Sequence, residues 1–306
     1  MTARAVGARV AHRPASWRRR DRLWGWFFVA PQTLGMLVFV VIPFALTIGL
    51  SFTKWSGLGP MKWVGLDNYA DQLTDEVFLK SIVNTTLIAL ITVPVGLGLA
   101  VVLATVLERL RSRTVYLIAF FAPVVTSTIA VAMIWQQLLR ADGLISQTIG
   151  SLFNVTPPDW LGDPNLALVA VCLVAIWSSL GLNVIIFLAG LKNIPGSVLE
   201  AATVDGAGPV TQFLQIKMPL ISPIIFYSTI VAVISSFQTF DTVYVLTSNA
   251  GPDNATRTIV YHIYDVGYRS AKFGVSSAAS VILLLLTLAV TLVQFGAQKK
   301  LVNYDL

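Results

Sequence analysis

The sequence predicts an all-α membrane protein with six transmembrane helices and a short cytoplasmic helical segment between helices four and five. Three observations carry that expectation. First, the 306-residue chain is 56% hydrophobic and 12% charged, with a mean hydropathy of +0.75, whereas a soluble domain carries about 25% charged residues. Second, its charges bracket six long apolar runs. Third, its Lys and Arg residues are distributed unequally between the two sides that those runs define.

The runs cover residues 27–52, 81–107, 114–139, 165–191, 218–240 and 273–298. Each exceeds the roughly 20 residues that a helix needs to cross the hydrocarbon, and none has an interior Asp, Glu, Lys or Arg. Pro31, Pro43, Pro94, Pro123 and Pro223 fall inside or near the ends of these runs, where neighbouring helices can satisfy the freed carbonyls. Kinks are expected there. The organisation that follows is an Arg-rich cytoplasmic tail, 1–26, and a six-helix domain, 27–306, that includes the loop 191–219.

The basic residues orient the bundle. With the N-terminus in the cytoplasm, one side holds Arg4, Arg9, Arg13, Arg18, Arg19, Arg20 and Arg22 in the tail and Arg109, Arg111 and Arg113 after the second run. The same side holds Lys192, Lys217, Lys299 and Lys300. The other side holds Lys54, Lys62, Lys80, Arg140, Arg257, Arg269 and Lys272. This excess predicts that both chain ends and the loop 191–219 are cytoplasmic. The Arg-rich tail reads as a topology signal beside anionic lipid rather than as a nucleic-acid arm. A secretory signal fits poorly, because the first run is too long for an h-region and no clear A-x-A site follows it.

Several chemistries are not encoded. The single cysteine excludes a disulfide framework, and Cys172, in mid-run, reads as a small buried hydrophobe. The histidines, His12 and His262, are too far apart in sequence to suggest a metal site. There is no G-x-x-x-x-G-K-[ST] phosphate loop, no G-x-S-x-G elbow and no H-E-x-x-H pair. Proton-coupled carriers usually place ionisable residues at membrane depth, and their absence from the runs argues against a self-powered, proton-coupled carrier. Sodium coupling is less constrained, since backbone carbonyls can serve it.

The segment 200–219, EAATVDGAGPVTQFLQIKMP, stands out between runs four and five. Pro195 suits the first turn of a helix over 196–204. Asp205–Gly206 breaks it, because glycine tolerates the left-handed conformation of a helix end. Pro209 can open a second short helix, with Phe213 and Ile216 on one face, and Pro219 is expected to stop it. Ala201, Ala202, Gly206 and Ala207 give this unit a low profile, and Glu200 can meet a cation. Two readings fit: a knob that enters a cleft on another protein, or an ordinary re-entrant or surface loop.

The same segment resembles the EAA loop of permease subunits of type I ABC importers. The pattern E-A-A, three residues, Gly, nine residues, Ile, one residue, Leu, Pro falls on Glu200, Ala201, Ala202, Gly206, Ile216 and Pro219, with Met218 in place of the leucine. "SFTKW" at 51–55, "WVGLDNYADQL" at 63–73, "FLKSIVNTTLIAL" at 78–90 and "FDTVYVLTSNAGP" at 240–252 extend the resemblance to carbohydrate permeases of the maltose and glycerol-phosphate type. In "TSNAGP" the family more often has Thr followed closely by Gly-Gly-Pro. The outer loop 53–80 is too short for the large external domain of some maltose permeases.

The resemblance implies a chain that does no chemistry itself, in a bacterial plasma (inner) membrane. Its partners would be a second homologous permease, an ATPase dimer that binds ATP and Mg, an extracytoplasmic solute-binding protein and a sugar-like solute. No nucleic acid is involved. The loop would be the coupling helix, with Glu200, Ala201, Ala202, Asp205, Gly206, Ile216 and Pro219 as its ATPase-facing set. An unpowered membrane scaffold or channel subunit, or a secondary carrier, would explain the hydrophobicity but not the EAA spacing.

A sugar needs hydroxyl and amide partners and flat apolar faces. Ser179 and Asn183 are four apart on the fourth run. Ser235 or Ser236 with Thr239 forms a similar pair on the fifth, which Gln238 and Asp241 extend. By the resemblance, sugar-contacting positions fall near Ser179, Leu182, Ser236 and Thr239. Serine and threonine also glue membrane helices together, so both roles stay open for each residue. Trp135, Gln136 and Gln137 on the third run are further candidates.

Overall fold

A computed structural model describes residues 15–110 and 112–302. Arg4, Arg9 and Arg13 of the basic tail, with Arg111, lie outside the described residues. The chain divides into two units, 1–49 and 50–306.

The first unit contains α1 (Ala15–Met36), a π-turn at Leu37–Val41 and most of α2 (Ile42–Ser51). No residue from Trp24 to Gly49 is buried. Trp24, Phe27 and Phe28 meet one another edge-on or tilted, with ring centroids 5.7–6.2 Å apart. The π-turn comes just before Pro43. A proline ring clashes with the carbonyl four residues back, and a π-turn widens the helix there: the Ile42 N–H bonds to Leu37 O, five residues back.

The second unit is built on α4 (Glu76–Arg109) and α8 (Pro164–Lys192), which form its most extensive helix pair. Asp75 caps the first helix by accepting from the Val77 N–H, and Asp163 caps the second through the Asn165 N–H. At 34 residues, α4 is about 50 Å long, enough to run from one membrane face to the other. Lipid is as apolar as leucine, so close packing holds such helices rather than water exclusion. Gly96, Ala100 and Ala104, four apart, are buried along α4. On α8, a Cβ at Gly181 would lie 1.9 Å from the Phe120 carbonyl oxygen, so only glycine allows α5 (Arg113–Val125) to come this close.

Before α4 come a two-residue strand pair, Thr53–Lys54 with Lys62–Trp63, and α3 (Asp67–Thr74). After α5 come α6 (Thr128–Leu139) and α7 (Leu144–Phe153). After α8 come α9 (Gly196–Val204), α10 (Pro209–Leu220), α11 (Ser222–Phe237), α12 (Asp241–Leu246) and α13 (Ile259–Tyr264), then α14 (Phe273–Leu301).

Four of the expected spans are continuous helices: Trp24–Ser51, α4, α8 and Phe273–Lys299. The third and fifth differ. Arg113–Val125 meets Thr128–Phe153 at 101°, and Pro209–Leu220 meets Ser222–Phe237 at 67°. The described residues thus hold four helices long and apolar enough to cross a membrane, or six if each bent pair is one span.

Among the described residues, two of the three apolar cores along α4 frame the site. One joins Ile88 to Val131, Leu139, Val171, Val174, Val243 and Leu246. The other joins Val93, Leu97, Val101 and Leu107 to Val184, Phe187, Leu191 and Ile221.

Candidate functional site

Where the two cores meet, the helices leave a cavity of about 280 Å³. Thr92, Gly96 and Leu97 of α4 line it, with Ser179, Leu182 and Asn183 of α8 and Tyr227, Ser228, Ser235, Ser236 and Thr239 of the α11 stretch. The structure therefore gathers Ser179, Asn183, Ser236 and Thr239 around one space. Gln238 and Asp241 are outside that lining. The α11 helix ends at Phe237, Gln238 is its C-cap and Asp241 starts α12, so the helical period that aligned them with Ser235 stops short. Both are exposed.

The polar lining is held by its own helices. The Asn183 amide donates to Ser179 O at 3.1 Å, and the Ser179 hydroxyl to Ile176 O at 3.2 Å. The Ser236 hydroxyl donates to Ala232 O and lies 3.2 Å from that of Thr92, which itself donates to Ile88 O. Ser228 differs: its hydroxyl is buried and has no hydrogen-bond partner. A buried unpaired hydroxyl costs about 1–3 kcal/mol. The stripe Ser228, Ser235, Thr239 was legible in the sequence at helical spacing, as was Thr92 just ahead of Pro94. Of the third-run candidates, Gln136 donates to Val245 O at 2.7 Å, and Trp135 packs edge-on against Trp177 at 5.4 Å.

The segment 196–220 forms the expected two-helix knob, with two corrections. Pro195 is the N-cap of α9, with extended ψ 131°, and not its first turn. Pro219 does not stop α10. A π-turn at Gln212–Lys217 accommodates it, with the Met218 N–H on Phe213 O, and the break falls at Ile221. The turn between the helices is as anticipated. Gly206 has φ +80°, the Gly206 N–H bonds to Thr203 O, and the Ala207 N–H reaches back to Ala202 O. This is the Schellman pairing, which satisfies the last carbonyls of a helix. Nothing lies within 4 Å of a Cβ added at Gly206, so backbone conformation selects glycine there.

Glu200, Ala201 and Asp205 are exposed, Ala202 is buried, and Ile216 and Pro219 are half-buried. Around the turn, Val204 is 88% and Val210 70% exposed. Gln212 ties α10 to α9 through the Thr203 hydroxyl and Ala207 O.

Lys217, which the sequence suggests is a free topology charge, is buried. It pairs with Glu108 at 2.6 Å, linking the knob's second helix to the last turn of α4. Their separation of 109 positions left no local signal.

The opposite end of α4 is tied differently. Lys80 donates to Asp253 O, and Asn84 to the carbonyls of Asn254 and Arg257. They hold a loop in which Ser248, Asn249, Ala250, Gly251, Asp253 and Asn254 all have positive φ. This run includes the departure noted in "TSNAGP". The buried hydroxyls of Thr247 and Thr256 meet across its base at 2.7 Å. Arg257 pairs with Asp265 at 2.6 Å and donates from Nε to His262 Nδ1 at 3.3 Å. A guanidinium only donates, so Nδ1 is the acceptor. The proton is then on Nε2, which donates to Gln72 Oε1 at 2.9 Å. Burial first, and then the Arg257 charge, push the His262 pKa down to about 4.

The family described as "Binding-protein-dependent transport system inner membrane component" matches residues 93–302, from the middle of α4 onward. The chain is similar to the probable ABC transporter permease protein YesP of Bacillus subtilis (strain 168), 34% identical over 291 residues and 94% of each protein. It is 31% identical over 282 residues to the lactose transport system permease protein LacF of Rhizobium radiobacter, covering 90% of this chain and 94% of LacF. A chain of a bacterial ABC transporter involved in the import of the acidic polysaccharide alginate has the same fold. It superposes with a TM-score of 0.82 over 95% of this chain and 100% of that one, at 21% identity.

Proposed function

This chain belongs to the family of binding-protein-dependent transport system inner membrane components, and from that premise we propose that it is one of two permease subunits of an ATP-driven importer of a neutral sugar. The observation that carries the proposal is the knob: a small two-helix unit, shaped by a left-handed glycine and bearing uncovered Val204 and Val210. An ATPase subunit is the partner that such a surface fits. It would hold ATP and Mg, so this chain performs no hydrolysis. The ATPase dimer would close on ATP, displace the knob and turn the cavity between its two openings. With the knob cytoplasmic, both chain ends are cytoplasmic and the loop 248–258 faces a solute-binding protein outside.

The solute class follows from the lining. Among the described residues, it offers serine, threonine and asparagine groups, the Tyr227 ring and apolar walls, and no Lys, Arg or His. That set suits a neutral sugar better than a phosphate ester or an acidic glycan, each of which needs a cation. At about 280 Å³ the space is just below the usual range of about 300–1,000 Å³. The second permease would complete it.

The test is co-purification from the native membrane. The wild-type chain should bring down an ATPase, and Val204→Asp with Val210→Asp should lose it while the chain stays inserted. A wild-type chain that purifies alone but still carries sugar would mark a secondary carrier and end this reading.

A further inference from the structure

A column of aromatic rings leads away from the cavity. Thr239 lines the cavity, and Phe240 follows it in sequence. The Phe240 ring stacks on Tyr244 at 5.3 Å and meets Tyr264 at 5.2 Å. Tyr264 stacks on Tyr268 at 5.7 Å, Tyr268 meets Phe273 at 6.1 Å, and Phe273 meets Trp55 at 5.8 Å. Consecutive rings thus stay in contact from the cavity edge to the loop beside the strand pair.

Three features separate this column from ordinary core packing. Its rings are not sealed: Tyr244 is 44% and Tyr268 75% exposed. The exposed members are tyrosines, which present an apolar face together with a hydroxyl. The scaffold behind them is rigid, because Tyr261 and His262 are buried and Asp265 holds both Arg257 and Arg269. Asp241, three residues before Tyr244 on α12, shares its face and adds an exposed acceptor. Flat, partly uncovered rings with hydroxyls alongside are the chemistry that binds sugar rings, whose C–H faces stack while their hydroxyls hydrogen-bond.

We propose that the column from Trp55 through Phe273, Tyr268, Tyr264 and Tyr244 to Phe240 is a glycan-binding track, along which a sugar stacks on its way to the cavity. This inference rests on the carbohydrate reading above. It assigns to the track the exposed Asp241 that the cavity itself does not use.

The experiment uses the whole importer in proteoliposomes, with both permeases, the ATPase and the binding protein. Uptake is measured for lactose, maltotriose, cellotriose and N,N′-diacetylchitobiose, and the variants are compared on each sugar that the wild type carries. Stacking needs a ring, whereas packing needs only apolar volume, so Tyr268→Leu and Tyr268→Phe separate the two. We expect Tyr268→Leu to slow uptake about five-fold, which corresponds to about 1 kcal/mol. Tyr268→Phe should recover most of that loss, and Tyr264→Leu should behave like Tyr268→Leu. Assembly and binding-protein-stimulated ATP hydrolysis should persist in all of them. Equal uptake by the Leu and Phe variants would overturn the track. Loss of complex assembly in Tyr268→Leu would overturn it too, by making the column a contact with the second permease. If the wild type carries none of the four sugars while still hydrolysing ATP with its binding protein, the carbohydrate reading fails first, and the track with it.

Discussion

The two ends of α4 are fastened by different chemistry. At its first turns, Lys80, Asn84 and Thr85 reach across to Asp253, Asn254, Arg257 and Ile259, and a buried mesh of Thr247, Thr256, Arg257, His262, Gln72 and Asp265 stands behind them. At its last turn, one ion pair, Glu108 with Lys217, ties it to the knob. Among the described residues, the knob's other polar side-chain ties are internal, from Gln212 to Thr203 and Ala207. A backbone with six left-handed residues in a seven-residue stretch persists only when its surroundings over-determine it, and the mesh does so. Phe213 and Met218 add apolar packing against the Val93–Leu107 core, so the knob is held by few polar ties and one apolar seam. The contrast suits a fixed platform at one end and a moving part at the other, with α4 passing the motion to the cavity between them.

The sharpest break should come at the platform. Arg257→Met leaves Asp265 with only the half-exposed Arg269 as a partner and removes the donor to His262. Breaking a buried pair in this way costs about 3–5 kcal/mol, and the partial exposure of Asp265 places the loss at the lower end of that range. Hydrogen exchange should quicken across 248–265 and stay unchanged across 196–211. Equal quickening in both would mean that the ends are not independent.

A smaller effect is expected at the other end. Lys217→Met leaves Glu108 partly buried and unpaired, at a cost of about 1–3 kcal/mol. The complex should assemble yet lose uptake relative to ATP hydrolysis. The exchanged pair, Glu108→Lys with Lys217→Glu, should restore part of the coupling. Full coupling in Lys217→Met would remove the pair from the transmission path.

The smallest is a pH effect. The folded pKa of His262, about 4, lies below its ordinary 6.5, so the unfolded segment binds more protons between these values. Stability from neutral His262 is complete above pH 6.5 and is lost as pH falls toward 4. At pH 5.5 the loss is about 1.4 kcal/mol. Exchange protection at 258–264, corrected for the intrinsic rate, should fall by that amount between pH 7.5 and 5.5. It should not fall in His262→Asn. A pH-independent protection in the wild type would contradict the buried neutral imidazole.

Local signals made the knob readable before the fold was known. Gly206 after Asp205 predicted the helix end, and Pro209 the next start, because both residues act through their own backbone angles. Ser179 and Asn183 share a face because α8 keeps its period across both, and Thr239, two residues past the end of α11, still lines the same cavity as Ser236 because its N–H bonds to Ser236 O. What failed depended on distant partners. Nothing near Lys217 announces Glu108, and nothing near Pro219 announces that a π-turn would absorb it. Gln238 and Asp241 were drawn into the cavity by a helical period that stops at Phe237. By contrast, the breaks in the third and fifth runs fall beside Pro123 and Pro223, where kinks were expected, while Pro94 sits inside an unbroken α4. The aromatic column has members from Trp55 to Phe273 and no sequence period at all.

The central claim is that the knob moves as a unit and couples an ATPase to the cavity. Gly206 tests it most directly, because its φ of +80° disfavours any other residue while the space around it is open. Gly206→Val should leave membrane insertion and the platform intact, since the strain is confined to the turn. In the reconstituted importer, binding-protein-stimulated ATP hydrolysis and sugar uptake are measured together. We predict that Gly206→Val lowers uptake per ATP hydrolysed, or abolishes ATPase docking altogether. Hydrolysis and uptake at wild-type rates, in a wild-type ratio, would contradict the account and leave residues 196–220 as an ordinary loop.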